Sequence, residues 1–220
     1  MHDRSNWLGI IWDVDGTLAD TSKLGYSSTL QVLQNNKLSA ITEEDYHHGT
    51  RYATPDRFAW HVTGNPKDPI GIKLGNEFDS LYVDMVSKET APLFKNIDDL
   101  LVELKKKDNI CYGALSNACG AYVRAVLEVN EIDQLFYVQL GADEVAAPKP
   151  HPDGLFQCCQ QLKLSPSQCV YIGDSPTDAE AALNAGMRAI GVTWGSHAAD
   201  RVLAAFPDVA HTVEELKQKL

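Results

Sequence analysis

Two aspartates one residue apart end an apolar run near the start of the chain, Leu8-Gly-Ile-Ile-Trp-Asp-Val-Asp-Gly-Thr-Leu18. The run predicts a buried strand, and the Asp-Gly pair predicts a turn off its end. Two carboxylates at the tip of a buried strand, Asp13 and Asp15, repel each other. A hard divalent cation such as Mg²⁺ relieves that repulsion through carboxylate oxygens. The plainer reading is a strand, a glycine turn and two solvated acids.

Three further polar sets stand at comparable points. Ile110–Leu115 runs into Ser116 and Asn117. Lys149 lies between Pro148 and Pro150. Cys169–Gly173 runs into Asp174, with Asp178 four residues on. Three of the four sets follow strand-like runs. Ligands of open α/β sheets bind beyond the carboxyl ends of the strands, so the four sets can meet in one pocket. Each set also has an ordinary explanation. Ser116 and Asn117 are good helix N-caps, Lys149 reads as a surface lysine, and Asp174-Ser-Pro reads as a helix start.

Taken in order, Asp-x-Asp-Gly-Thr, apolar-Ser-Asn, Lys and Gly-Asp-Ser-x-x-Asp, the chain resembles the haloacid dehalogenase superfamily. Its phosphatase branch, with a helical cap inserted after the first motif, is the nearer likeness. The resemblance implies a Rossmann-like core, Mg²⁺ and phosphoryl transfer through an aspartyl phosphate. It assigns Asp13 as nucleophile and metal ligand. It assigns Asp15 as the acid–base residue, with its main-chain carbonyl on the metal. Thr17 is expected beside Asp15 and, with Ser116 and Asn117, among the groups that bind the phosphate. Lys149 is the positive charge for phosphate and Asp13, and Asp174 and Asp178 complete the metal site. Val192-Thr-Trp-Gly195 and Glu214-Glu-Leu216 are similar to phosphoglycolate phosphatases. A small phospho-acid is therefore the expected substrate, ahead of a phosphosugar mutase resembling β-phosphoglucomutases or a non-catalytic binding module. Where relatives often carry Pro-x-Pro-Gly, this chain has Ala91-Pro-Leu-Phe-Lys-Asn-Ile97.

The elements that must position these residues follow from periodicity. Residues 20–92 carry only helical patterns, near 20–36, in short pieces over 40–65, and over 69–89. They predict an all-helical cap inserted in a core made of 1–19 and 93–220. The core alternates helices near 96–107, 119–130, 153–163 and 177–185 with strands near 110–115, 136–140, 169–173 and 187–192. Short helices near 198–205 and 212–219 close the chain. The predicted fold class is α/β, a parallel sheet with helices on both faces. In the cap, His48, Thr50, Arg51, Arg57 and Lys73 are the candidates for contact with the leaving group. Arg51, just after Gly49, is preferred for an anionic one. His47, His48, His61 and His197 show no metalloprotease spacing.

A length of 220 residues with 44% hydrophobic residues suits one α/β core with a smaller subdomain. The net charge of −11 and the lack of a basic stripe argue against nucleic acid as a partner. The triplet Lys105–Lys107 reads as a solvated helix face. No apolar stretch is long enough for a bilayer, and the polar start, Met1 to Asn6, lacks a signal-peptide core. Five scattered cysteines without Cys-x-x-Cys predict free thiols in a cytoplasmic protein. The resemblance implies a small phosphate ester as partner, and the expected assembly is a monomer or homodimer.

Overall fold

The computed structural model describes residues 7–106 and 110–220. Residues 1–6 and Lys107 of the basic triplet lie outside them. Six parallel strands form one sheet in the order β3-β2-β1-β4-β5-β6. They are β1 (Gly9–Trp12), β2 (Cys111–Leu115), β3 (Phe136–Leu140), β4 (Cys169–Gly173), β5 (Arg188–Val192) and β6 (Val209–Ala210). The α/β class and the five longer strands agree with the sequence reading. Strand β6 was not expected. Two residues carry no periodic signal; β6 is held by main-chain pairing, including Gly191 N–H to the Asp208 carbonyl at 2.8 Å, and by burial of Ala210.

Alternation along the strands builds two cores. Ile10 and Trp12 of β1, with Tyr112 and Ala114 of β2, face one side. Ile11, Leu115 and Tyr171 face the other. The first side is covered by α5 (Ile97–Lys105), α6 (Gly120–Val129) and α10 (Val213–Lys219), through Leu100, Leu104, Tyr122, Val126 and Leu216. The second is covered by α7 (Asp153–Leu162), α8 (Pro176–Asn184) and α9 (Ala199–Ala205). Strands buried on both faces explain their near-continuous apolar sequences.

Between β1 and α5 run four helices, α1 (Ser22–Asn35), α2 (Glu43–Gly49), α3 (Thr54–Thr63) and α4 (Ile70–Asp84). Pro55 lies in the first turn of α3, where its missing N–H costs nothing. The pattern over 69–89 ends earlier than expected, with Met85 as the C-cap of α4. The chain leaves and re-enters the sheet layer through adjacent segments. Ala19 bridges Leu93, Asp20 N–H donates to the Pro92 carbonyl at 2.9 Å, and Phe94 N–H donates to the Leu18 carbonyl at 3.0 Å. The Ala91–Ile97 stretch thus holds the return crossing without a glycine. None of the described helices is long and apolar enough to cross a membrane.

Candidate active site

The sheet order reverses at β1, with β2 on one side and β4 on the other, and this is where open sheets make their crevice. Trp12 is level with Ile172, and Asp13 N–H donates to the Ile172 carbonyl at 2.8 Å. Asp13 and Asp174 therefore leave the ends of neighbouring strands together. Ser116 leaves β2 on the opposite flank. Lys149 reaches in from the loop after β3. Asp178 sits in the first turn of α8.

Asp13, Asp174 and Asp178 are all at least 96% buried, and each offers a carboxylate oxygen within 4.8 Å of the others. Lys149, 6% exposed, is their counter-charge. Its ammonium donates to Asp13 Oδ1 at 2.6 Å, Asp178 Oδ1 at 2.7 Å and the Tyr171 hydroxyl at 3.0 Å. Burial raises the Asp13 pKa well above the usual carboxylate range, and the Asp178 charge adds to this against the pull of Lys149. Burial pushes Asp178 the same way, but Lys149, Ser175 and Tyr171 outweigh it and lower its pKa. Burial opposes the charge on Lys149, yet Asp13 and Asp178 raise its pKa. Three acids against one ammonium leave a buried excess of negative charge. A small dication held by oxygen ligands matches that donor set.

The acids are not equivalent. Asp174 Oδ2 accepts from the Ser196 N–H at 2.8 Å, and His197 Nδ1 lies 3.5 Å from it. Burial opposes protonation of His197, but Asp174 outweighs it and raises its pKa. Asp178 is committed at both oxygens. Oδ1 takes Lys149 and the Tyr171 hydroxyl, and Oδ2 takes the Ser175 hydroxyl and N–H in the capping box of α8. Asp174 and Asp13 are the freer donors for a cation.

The first loop departs from expectation at Thr17. Its hydroxyl donates to Asp13 Oδ2 at 3.1 Å, not to Asp15, because Gly16 (φ 78°) folds the chain back over Asp13. The Trp194 indole N–H pins this loop through the Thr17 carbonyl at 3.1 Å. Asp15 turns away from the acids. Its Oδ1 accepts from Tyr122 at 2.6 Å, Thr21 at 2.7 Å and Tyr82 at 3.2 Å, and its Oδ2 from Ser116 at 2.8 Å. Tyr82 of α4 and Tyr122 of α6 stack with centroids 3.9 Å apart. Asn117 differs from the expected phosphate donor as well. Its side-chain amide donates to the Lys149 carbonyl and accepts the Lys149 N–H, both at 2.9 Å. It fixes the lysine loop.

Above these groups lies a cavity of about 110 Å³, also lined by Tyr46, Thr50, Arg57, Phe78 and His197. Arg51 is not among its walls. It is exposed, its Nε donates to the His48 carbonyl at 2.8 Å, and its guanidinium lies over Tyr52 and Trp60. The arginine that lines the cavity is Arg57. The sequence reading also missed Thr21, Tyr82, Tyr122 and Tyr171. Tyr82, Tyr122 and Tyr171 fit an apolar helix face or strand and Thr21 a helix N-cap, and nothing in spacing marks a hydroxyl that will meet a carboxylate 101 or 107 residues away, as Ser116 and Tyr122 do.

A model of the haloacid dehalogenase-like hydrolases matches residues 10–192, a span that includes Asp13, Asp15, Ser116, Lys149, Asp174 and Asp178. The chain belongs to this family. A phosphoglycolate phosphatase of Shigella dysenteriae serotype 1 is 29% identical to this hydrolase over 225 residues, 92% of this chain and 88% of the relative. One from Escherichia coli is 33% identical over 134 residues, 61% of this chain and 52% of its own. Among solved structures, a haloacid dehalogenase-like hydrolase from Bacteroides fragilis superposes with a TM-score of 0.85 at 26% identity, covering 96% of this chain and all of that one. A mutant CbbY from Rhodobacter sphaeroides in complex with xylulose-(1,5)bisphosphate shares the fold, with a TM-score of 0.79 at 21% identity over 93% of each chain.

Proposed function

We propose that this hydrolase is a Mg²⁺-dependent phosphatase of a small phosphorylated metabolite, a 2-phosphoglycolate-like phospho-acid being favoured, acting through an aspartyl phosphate on Asp13. The observation that carries this reading is the buried meeting of Asp13, Asp174 and Asp178 around Lys149 beneath a small cavity. Asp13 and Asp174 would hold the cation, with Asp178 behind them. Bound there, Mg²⁺ would neutralise phosphoryl charge and screen Asp13 from the incoming ester.

In the first step an Asp13 carboxylate oxygen forms a bond to phosphorus as the phosphorus–ester oxygen bond breaks, and Asp15 gives its proton to the departing alkoxide. In the second step Asp15 takes a proton from water. The water oxygen bonds to phosphorus, the acyl–phosphate bond breaks, and inorganic phosphate leaves. Lys149 and Thr17 keep Asp13 oriented throughout. Asp15 and Ser116, bonded to each other at rest, must part before either meets the substrate. Residues 20–92 would act as a cap that closes over the reacting phosphate and excludes water. A cavity of about 110 Å³ has room for roughly ten water-sized groups, which favours a substrate of few atoms. The five free thiols suit a reducing compartment such as the cytoplasm.

The test is a screen of phosphorylated metabolites with Mg²⁺, beside Asp13→Asn. The expected result is turnover by the native chain, none by the variant, and a phosphorylated Asp13 peptide in rapidly quenched native samples. Turnover that survives Asp13→Asn refutes the nucleophile assignment.

A further inference from the structure

The cavity has a second cationic group among its lining residues. Arg57, on α3, is 9% exposed, and its Nε and Nη2 are buried without a hydrogen-bond partner. No ion pair within 4.0 Å involves it among the described residues. Its guanidinium lies over aromatic faces instead, 4.6 Å from the Phe78 centroid and 5.5 Å from that of Tyr46. Ring faces steady a cation but do not accept its N–H groups in the plane of the fork.

A guanidinium cannot shed its proton to escape burial. Its charge is felt nearby. Burial first, then Arg57, holds the His61 pKa down to about 4. Asp79 on α4 is the nearby acid, but it makes no ion pair with Arg57, and burial raises its pKa to about 6. Nε and Nη2 are the two nitrogens that share one edge of the guanidinium, the edge that grips a carboxylate with two parallel bonds. That edge is the unsatisfied one. Gly49 leaves the room that the side chain needs, since a Cβ there would approach Arg57 Cγ to 3.2 Å and the His61 ring to 2.5 Å.

We propose that Arg57 is the receptor for a carboxylate carried on the leaving group of the substrate, so that the cavity selects a phospho-acid by gripping both ends, phosphate below and carboxylate above. This rests on the phosphatase reading and names the residue that sets specificity within it.

Two esters of matched size test it. Ethyl phosphate replaces the carboxylate of 2-phosphoglycolate with a methyl group. With Mg²⁺, kcat/KM of the native chain should favour 2-phosphoglycolate by about 100-fold, the worth of two charge-assisted hydrogen bonds. Arg57→Gln should collapse that ratio to within a few-fold of one, with Arg57→Lys in between. Removing an unpaired buried charge should not lower the melting temperature, so Arg57→Met should melt at or above the native chain. An unchanged ratio in Arg57→Gln overturns the receptor assignment while leaving the phosphatase reading intact. A lower melting temperature in Arg57→Met, beyond a few degrees, makes Arg57 a structural residue and overturns it too. Higher kcat/KM on a bisphosphate than on the phospho-acid overturns the carboxylate assignment. No turnover of either ester by the native chain defeats the phosphatase reading itself.

Discussion

Replacing Asp174 by Asn should make the metal-free protein more stable, the reverse of the usual effect of altering a buried, hydrogen-bonded side chain. Asp174 offers an oxygen within 4.8 Å of oxygens on Asp13 and Asp178. At that separation two unit charges repel by about 3.5 kcal/mol at an effective dielectric near 20. Asp13, with its raised pKa, is discounted, and the Asp178 pair remains. Against the relief stands the weakened bond from Ser196 N–H, worth about 1–2 kcal/mol, part of which an Asn oxygen retains. The net gain is about 1–2 kcal/mol, or roughly 2–8 °C for a chain of this size. Mg²⁺ should act the other way. At about 100 times its dissociation constant it adds about 2.7 kcal/mol to the native chain and little to the variant. Thermal unfolding in EDTA and in Mg²⁺ therefore gives curves that cross: the variant higher in EDTA, the native chain gaining in Mg²⁺. Asp178→Asn is the opposite-sign control. It leaves one amide oxygen for Lys149, Tyr171 and Ser175, puts an NH2 donor against the remaining partner and removes the charge paired with Lys149, so it should destabilise by about 3 kcal/mol or more. An Asp174→Asn chain that melts more than a few degrees below the native one in EDTA, or keeps the full Mg²⁺ shift, refutes the charge argument.

Tyr122→Phe removes the 2.6 Å bond to Asp15 and should cost about 1.5 kcal/mol, roughly 3–6 °C by calorimetry, while Tyr82→Phe, at 3.2 Å, should cost less; equal losses would mean that the stacked rings and not the hydroxyls matter. Gly16→Ala and Gly64→Ala separate backbone strain from site disruption, since both positions have φ near +75° (78° and 75°) but only at Gly16 does a Cβ meet the Asp174 carboxylate. Gly64→Ala should lose about 1 kcal/mol of stability and Gly16→Ala more, and Gly16→Ala alone should lose the Mg²⁺ thermal shift; a retained shift would place Asp174 outside the cation site. His61 and Asp79 should pull the pH dependence of stability in opposite directions. The folded-state pKa of His61, about 4, lies below its unfolded value, so the unfolded chain takes up the proton first and stability is lost as pH falls from about 6.5 to 4. Asp79, at about 6, lies above its unfolded value, so the folded chain takes up the proton first and stability is gained as pH falls from about 6 to 4. Relative to the native chain, melting temperatures of His61→Gln should tilt upward toward acid and those of Asp79→Asn downward; parallel profiles would sink both assignments.

The sheet was legible because its strands are buried on both faces and read as apolar runs ending in polar residues. Five of six strands and the order of the core helices followed from that pattern alone. The chemistry-bearing residues were legible as a set because each ends such a run or sits in a proline-framed loop. Their partners were not. Thr17 bonds Asp13 and not Asp15 because the turn at Gly16 reverses the loop, and a turn's hand is not written in residue types. Asn117 serves the Lys149 main chain because the loop after β3 returns beside β2, a contact 32 residues long that no local spacing reveals. Arg51 and Arg57 are both arginines of a helical segment. Which of them faces the cavity depends on the phase of α3 relative to α2, and that phase is fixed by packing of Phe58 and Ala59 against the neighbouring helices.

Asp178 shows how one residue type can answer two sequence readings at once. As a helix-start acid it belongs to a capping box, and it forms one with Ser175. As the second acid of a metal motif it belongs beside Asp174, and it lies there. Both hold because the first turn of α8 begins directly where β4 ends, so the residue that closes the cap also points at the strand tips. The division of labour follows from its hydrogen bonds. With Oδ2 closing the cap and Oδ1 holding Lys149 and Tyr171, Asp178 has no oxygen left that a cation can take without dislodging something. Its contribution to a bound cation is therefore its charge and the Lys149 it anchors beside Asp13. Lys149 is thus held between Asp13 and Asp178, with its charge already in place beside the strand tips.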